Sequence, residues 1–107
     1  MFPYGEKLTV RIISPEQNFI YIMNYKILPF FVTLVIGKIG VEVNASAQKG
    51  VDRVEFYIDN ELKHNDTTAP YNWTWDKRAF FRYTIKVIAY DAAGNSASDE
   101  ITVWKFL

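Results

Sequence analysis

Apolar and polar residues alternate along most of the chain, and Asp, Asn and Gly separate the alternating stretches. Successive side chains of a strand point to opposite faces, so each stretch predicts a strand with one buried face. Asp59-Asn60 and Asp91–Asn95 carry the residues of tight hairpin turns. No stretch has a helical period. The pattern predicts an all-β, antiparallel sandwich of about seven to nine strands.

The inward positions of these strands form the expected core. It comprises Val10, Val41, Val43, Val54, Phe56, Ile58, Trp73, Trp75, Tyr83, Ile85, Val87, Ala89, Ile101 and Val103. Inward and outward positions exchange across Gly37-Lys38, which predicts a bulge or a kink there.

A long hydrophobic segment lies in the N-terminal third. Gln17–Phe30 is rich in aromatic and β-branched residues, and we interpret it as one or two short strands around Asn24. The longest apolar run, Ile27–Ile36, is about half of what a membrane helix needs, and it contains Pro29. This composition favours buried strand over a membrane span.

Length and charge narrow the class of protein. The 107 residues suffice for a single domain with one core, which we expect to span residues 1–107. Residues 1–6 have no signal-peptide pattern, and we interpret them as a linker or a flexible start. Twelve basic residues balance twelve acidic ones and are scattered singly, which disfavours nucleic acid as a partner. The absence of cysteine excludes disulfides and thiolate zinc sites.

Five strings in order give the chain a family resemblance. They are ISPE (Ile13–Glu16), VEFYID (Val54–Asp59), DTTAPYNWTWD (Asp66–Asp76), IKVIAYDAAGN (Ile85–Asn95) and ITV (Ile101–Val103). In these strings the chain resembles the prokaryotic immunoglobulin-like repeat domains of secreted and cell-surface proteins. The resemblance implies an immunoglobulin-like sandwich, an extracellular or cell-surface location within a longer exported protein, and a Tyr83 hydroxyl bonded to backbone.

The chain departs from this family pattern at two places. The segment Tyr21–Phe31 is longer and more hydrophobic than in the usual repeat, which raises the chance of an added hairpin or a docking edge. Ala47 stands in a loop where such domains often have an acidic residue, which weakens a calcium interpretation.

Residues suited to catalysis or metal binding are few. His64 is the only histidine, in the polar stretch LKHND, and catalytic sequence motifs are missing, so we expect no enzyme activity, no catalytic residue and no cofactor. Asp91 is a candidate calcium ligand. The competing interpretation is that Asp91 accepts hydrogen bonds from its own loop, with Gly94 and Asn95 in left-handed conformations.

The sequence bears on two covalent modifications, N-glycosylation and an isopeptide bond, and it disfavours the second. Asn44, Asn65 and Asn72 each begin an N-x-S/T sequon, and we expect Asn44 and Asn72 on outward faces and Asn65 in a loop, where glycans are accommodated. A Lys–Asn isopeptide bond needs a buried lysine, and no lysine is clearly predicted on a core face.

Apolar residues also occupy outward positions. If the predicted core faces inward, then Tyr57, Ile88, Tyr90, Trp104 and Phe106 face outward on neighbouring strands and would form one interaction patch. Either a partner covers this patch, or the segment Tyr21–Phe31 folds over it.

These features favour a non-catalytic module that acts as a spacer or as a protein-docking and adhesion domain. Its partners would be neighbouring domains, other proteins or copies of itself. One alternative is a carbohydrate-binding module, with Trp104, Tyr90 and Tyr57 stacked on sugar rings. Another is a filament subunit, in which Ile20–Phe31 pairs with an open sheet edge of the next copy.

Overall fold

The computed structural model describes residues 7–107, and all regular secondary structure within them is β-strand. Residues 1–6, interpreted above as a linker or a flexible start, lie outside the described residues. The strands are β1 (Thr9–Ser14), β2 (Phe19–Ile22), β3 (Tyr25–Pro29), β4 (Leu34–Ile36), β5 (Ile39–Ser46), β6 (Val51–Ile58), β7 (Glu61–Asp66), β8 (Tyr71–Trp75), β9 (Phe80–Asp91) and β10 (Ser96–Phe106). The described residues thus hold ten strands, slightly more than expected, because residues 19–36 form three short ones.

Two sheets form a sandwich. The smaller sheet has the order β1-β5-β8, and the larger has the order β3-β2-β4-β10-β9-β6-β7. Neighbouring strands are antiparallel, except that β4 runs parallel to both β2 and β10. The predicted all-β sandwich is confirmed.

The core lies between the sheets, and every residue predicted for it is buried or packs against it. The structure adds core side chains that the predicted core did not include. These are Leu8, Tyr21, Val35, Ile39, Tyr71, Ala79 and Lys105.

Strands β2 and β3 form a hairpin that extends the larger sheet beyond β4. The turn residues Met23 and Asn24 both have positive φ (49° and 73°), as a tight hairpin turn requires. The amide of Met23 donates to the Ile36 oxygen (2.8 Å), and the amide of Gly40 donates to Asn24 Oδ1 (2.8 Å). The expected strands around Asn24 are present, and their turn is bound to the main chain of the sandwich.

The exchange of inward and outward positions near Gly37 marks a change of sheet. Leu34–Ile36 belongs to the larger sheet and Ile39–Ser46 to the smaller, so the chain crosses the sandwich at this point. Gly37 has φ +83°, and a Cβ atom there would overlap the sulfur of Met23. The feature is therefore a crossover rather than a simple bulge, and it requires glycine.

Most edge strands are interrupted. Among the described strands the sheet edges are β1 and β8 in the smaller sheet and β3 and β7 in the larger, and the ladders of β1, β3 and β7 each contain a register shift. On β3, Ile27 is the extra residue between Lys26 and Leu28, and Pro29 lacks an amide donor. Such irregularities hinder the addition of a further strand.

The first described strand begins near one end of the sandwich, and the last strand ends near the other. The amide of Ile12 in β1 donates to Asp99 Oδ2 (2.9 Å) near the start of β10, whereas Trp104, near the end of β10, pairs with Leu34. The long axis measures 43 Å, against 24 and 20 Å across. The first strand therefore begins near one pole, and the last strand ends at the other.

Candidate functional site

Directly paired residues in a sheet share a face, and this rule assembles an apolar surface on the outside of the larger sheet. One row across β9, β10, β4, β2 and β3 is Phe80, Phe106, Ile36, Ile22 and Tyr25. The next row is Arg82, Trp104, Leu34, Ile20 and Leu28. We call the nine apolar members of these rows the outer apolar face. All nine are half-buried or exposed.

The five outward residues singled out in the sequence do not form one patch. Trp104 and Phe106 belong to the outer apolar face. Tyr57, Ile88 and Tyr90 lie on the same side of the sheet but toward its other end. Tyr90 is eight residues along β9 from Arg82, the partner of Trp104, which is about 26 Å at the rise of a strand.

Charged side chains contact Tyr57 and Tyr90 in this distant group. The Arg53 guanidinium lies 3.9 Å from the centre of the Tyr90 ring, and Arg53 Nε donates to Glu55 Oε2 (3.1 Å). The Tyr57 hydroxyl donates to Glu55 Oε1 (2.6 Å), and this hydrogen bond raises the pKa of Tyr57 to about 12. The Tyr90 ring and the Tyr57 hydroxyl are thus engaged within the chain.

The hairpin does not fold over the outward residues. It lies beside β4 in the same sheet and contributes Ile20, Ile22, Tyr25 and Leu28 to the outer apolar face. Sequence analysis missed these four residues, together with Leu34, Ile36 and Phe80. The alternation of Ile20 with Ile22 and of Leu34 with Ile36 was a signal, but their strand partners could not be inferred from it.

Lys105 is fully buried on the inward face of β10, contrary to the expectation that no lysine lies on a core face. Its Nζ donates to the backbone oxygens of Lys77 (2.7 Å) and Leu107 (2.8 Å) and lies 5.0 Å from the centre of the Trp75 ring. Burial lowers the pKa of the Lys105 amine, and the nearby Asp76 opposes this shift. Both of these hydrogen-bond partners are backbone oxygens, whereas an isopeptide bond would join the amine to the side chain of an asparagine.

A cleft of about 400 Å³ opens near the edges of β7 and β8. Trp73, Trp75 and Tyr83 form its aromatic wall, and its polar lining consists of Lys63, Asp76, Lys77 and Arg78. His64 is exposed on β7 and lies nearly parallel to Trp73, with ring centres 6.5 Å apart. The Tyr83 hydroxyl accepts a hydrogen bond from the Phe80 amide (3.2 Å), which is the backbone contact that the family resemblance implied.

Asp91 is engaged by its own loop. Its Oδ1 accepts hydrogen bonds from the amides of Ala93 and Asn95 (both 2.9 Å), and its Oδ2 accepts one from the Asn95 side chain (2.9 Å). The Asn95 side chain, followed by the loop amides, lowers the pKa of Asp91. Gly94 has φ +89°. Asn95 was also expected in the left-handed conformation but does not adopt it; its amide and its side chain both donate to Asp91.

All three sequon asparagines are exposed. Asn44 and Asn72 lie on the outward face of the smaller sheet, and the Asn72 side chain donates to the Pro70 oxygen (3.0 Å). Asn65 was expected in a loop, but it lies in β7, paired with Glu55. The reason is that the ladder between β6 and β7 continues through the polar residues up to Asp66.

Within residues 7–107, no three His, Asp or Glu side chains converge in a way that could hold a metal ion. The same residues contain no helix long and apolar enough to cross a membrane.

Comparison with known proteins identifies the family. The sequence profile of the Bacterial Ig domain family matches residues 32–103, which is 72 of the 107 residues. The chain therefore belongs to the Bacterial Ig domain family. The match begins after the hairpin, so strands β1 to β3 lie outside it. None of the curated proteins matches the chain.

Solved structures support the same architecture. Fibronectin(III)-like modules of CbhA from Clostridium thermocellum superpose with a TM-score of 0.71 and 25% identity, over 94% of this chain and 47% of that chain. An engineered protein superposes with a TM-score of 0.60 and 18% identity, over 96% of this chain and 21% of that chain, which supports the fold alone. The chain spans less than half the length of either structure.

Proposed function

We propose that the chain is a non-catalytic module of an exported or cell-surface protein, where it acts as a spacer and as a docking domain for protein partners. Membership of the Bacterial Ig domain family supports a non-catalytic module. The first described strand begins near one end of the sandwich and the last strand ends at the other, which suits a spacer, because domains joined at opposite ends are held apart. Docking to protein rests on a single observation, the outer apolar face.

The outer apolar face resembles a contact surface more than an ordinary exterior. Isolated apolar residues are common on protein surfaces, but a continuous patch spanning five strands marks an interaction site. Its centre contains no charged side chain, as is typical of the buried centre of an interface. The charged residue Arg82 lies at the end of one row, and its guanidinium carbon is 6.0 Å from the centre of the Trp104 ring.

Site-specific photo-crosslinking in the full-length protein, in its own cells, tests the docking role. A photoreactive phenylalanine analogue at Phe80 is expected to give a crosslinked product, either to another domain of the same polypeptide or to another protein. The same group at Leu62, which is exposed on the opposite edge of the same sheet face, is the control. Equal yields at the two positions, or no product at Phe80, would contradict docking through this face.

Trp104→Ser separates docking from internal packing. Since the hairpin lies beside Trp104 rather than over it, the substitution is expected to cost only about 1 kcal/mol of unfolding free energy while abolishing the crosslink at Phe80. A loss of about 3 kcal/mol or more would show that Trp104 serves mainly in packing.

Carbohydrate binding is a second candidate function, and the structure favours for it the cleft beside Trp73 over the predicted site at Trp104, Tyr90 and Tyr57. Tyr57 and Tyr90 are engaged by Glu55 and Arg53, and they lie far from Trp104. The cleft beside Trp73 instead combines aromatic walls with polar side chains, as small-ligand sites do. A glycan array with the wild-type chain and Trp73→Ala tests it, and no glycan retained by the wild type would eliminate this candidate.

Filament formation by strand addition receives less support. The register shift on β3 and Pro29 interrupt the hydrogen-bonding edge that the next copy would need. On the opposite edge, β7 has the sequence ELKHND, whose charged residues also protect a sheet edge.

A further inference from the structure

The size of the outer apolar face limits what can occupy it. Tyr25 and Phe80 are aromatic and exposed to 74% and 48%, and the remaining members are aliphatic or half-buried. If a large apolar side chain has roughly 150–250 Å² of surface, the nine residues together expose about 600 Å². This equals the largest apolar patch of an ordinary monomer and approaches the roughly 800 Å² that each partner contributes to a stable complex.

The composition of the face favours a like partner. Interfaces between identical subunits are more apolar than those of transient complexes between different proteins. Of the ten residues in the two rows of this face, only Arg82, at the end of one row, is charged. The chain as a whole carries no net charge, so two copies approach each other without long-range repulsion.

The geometry of the sheet favours contact through faces rather than edges. Two sheets pack face to face about 10 Å apart, with their side-chain rows interdigitated. The outer apolar face presents two such rows over five adjacent strands. The irregular β3 edge disfavours instead a sheet continued from one copy to the next.

We propose that a second copy of this chain covers the outer apolar face, with the two copies packed sheet against sheet about a two-fold axis. This inference rests on the proposed docking function and names its partner. A two-fold arrangement lets the same residues of both copies meet, so the assembly closes as a dimer and does not grow. With roughly 1,200 Å² buried in total, the area lies at the lower limit for specific complexes, and we expect a dissociation constant on the order of 10 µM.

Sedimentation equilibrium of the chain, from low micromolar to about 1 mM, tests the proposal. The informative variant is Leu28→Lys, and the matched control is Leu62→Lys. Leu28 and Leu62 are exposed to 48% and 51%, and both lie on the outward side of edge strands, at opposite edges of the larger sheet. Ile22→Lys, on β2, provides a second informative variant should Leu28→Lys fold poorly.

We expect the wild type and Leu62→Lys to form dimers with the same dissociation constant. Leu28→Lys and Ile22→Lys should weaken dimerisation at least about 30-fold, because each places two charges in the apolar contact of a symmetric dimer. Thermal unfolding of the dilute monomers should be nearly the same for all four proteins.

Three results would overturn the proposal: a wild type that stays monomeric up to about 1 mM, a Leu62→Lys variant that dissociates as readily as Leu28→Lys, or an assembly that grows beyond the dimer. The proposed docking function can be distinguished from it. A monomeric wild type combined with a crosslink at Phe80 to a different protein would retain docking and exclude only the second copy.

Discussion

Tyr21 decides whether the added hairpin is an integral part of the sandwich. Its side chain is 4% exposed between the sheets, and its hydroxyl accepts a hydrogen bond from the Glu16 amide (2.7 Å). Tyr21 shares its row with the buried residues Val35 and Lys105. Replacing Tyr21 with Ala should therefore destabilise the whole domain and not only the hairpin.

The expected magnitude follows from the burial. An aromatic side chain that buries roughly 150–250 Å² contributes about 4–6 kcal/mol at about 25 cal/mol per Å², and this is an upper estimate because the unfolded chain is partly compact. Buried aromatic-to-alanine substitutions cost about 3–5 kcal/mol, and we expect Tyr21→Ala to fall in that range. Tyr21→Phe removes only the hydrogen bond to Glu16 and should cost about 1 kcal/mol.

Urea unfolding, followed by tryptophan fluorescence and far-UV circular dichroism, measures these free energies. Tyr25→Ala is the matched control, because Tyr25 belongs to the same hairpin but is 74% exposed, and its replacement should cost less than about 0.5 kcal/mol. A cost for Tyr21→Ala below about 1 kcal/mol, or equal to that of Tyr25→Ala, would show that the hairpin does not pack on the core. A reduced slope with denaturant would indicate that the hairpin unfolds separately.

Four further predictions concern stability. Gly37→Ala should lower the unfolding free energy, measured by urea titration, by at least about 1–2 kcal/mol, because alanine would be forced into a left-handed backbone conformation and its Cβ would overlap Met23. An unchanged urea midpoint would contradict the crossover geometry. The pKa of Lys105 is lower in the folded chain than in the unfolded chain, so between that lowered pKa and about pH 10 the unfolded chain binds more protons and stability rises with pH. Lys105→Met should flatten this rise of the unfolding free energy, and a slope identical to that of the wild type would refute the assignment. The lowered pKa of Asp91 predicts stability that is lost as pH falls through that pKa, and Asp91→Asn should remove this acid-sensitive part, as measured by unfolding between about pH 5 and pH 2. Because the Asp91 oxygens are occupied by loop donors, a chelator should leave the melting temperature of the wild type unchanged, and a large decrease would reveal a calcium site.

The sequence by itself determined the sandwich and its inward faces. Alternation with a period of two is a local property, so Val54, Phe56 and Ile58 could be assigned to the core without knowledge of their neighbours. Turn chemistry is equally local. Asp59 and Asn60 adopt the positive φ angles that a tight hairpin needs, and Asp91 accepts the hydrogen bonds of its own loop.

Only the tertiary structure decided which outward residues meet. Trp104 and Tyr90 lie on neighbouring strands, yet the antiparallel register places them at opposite ends of the sheet, whereas Trp104 and Ile20, far apart in sequence, lie in one row. The burial of Lys105 was not predicted for a related reason. Alternation places its position inward, but a buried amine needs hydrogen-bond acceptors, and only the tertiary structure supplies them, as the backbone oxygens of Lys77 and Leu107. Strand register and hydrogen-bond partners are non-local, and they follow from the packing of the whole chain.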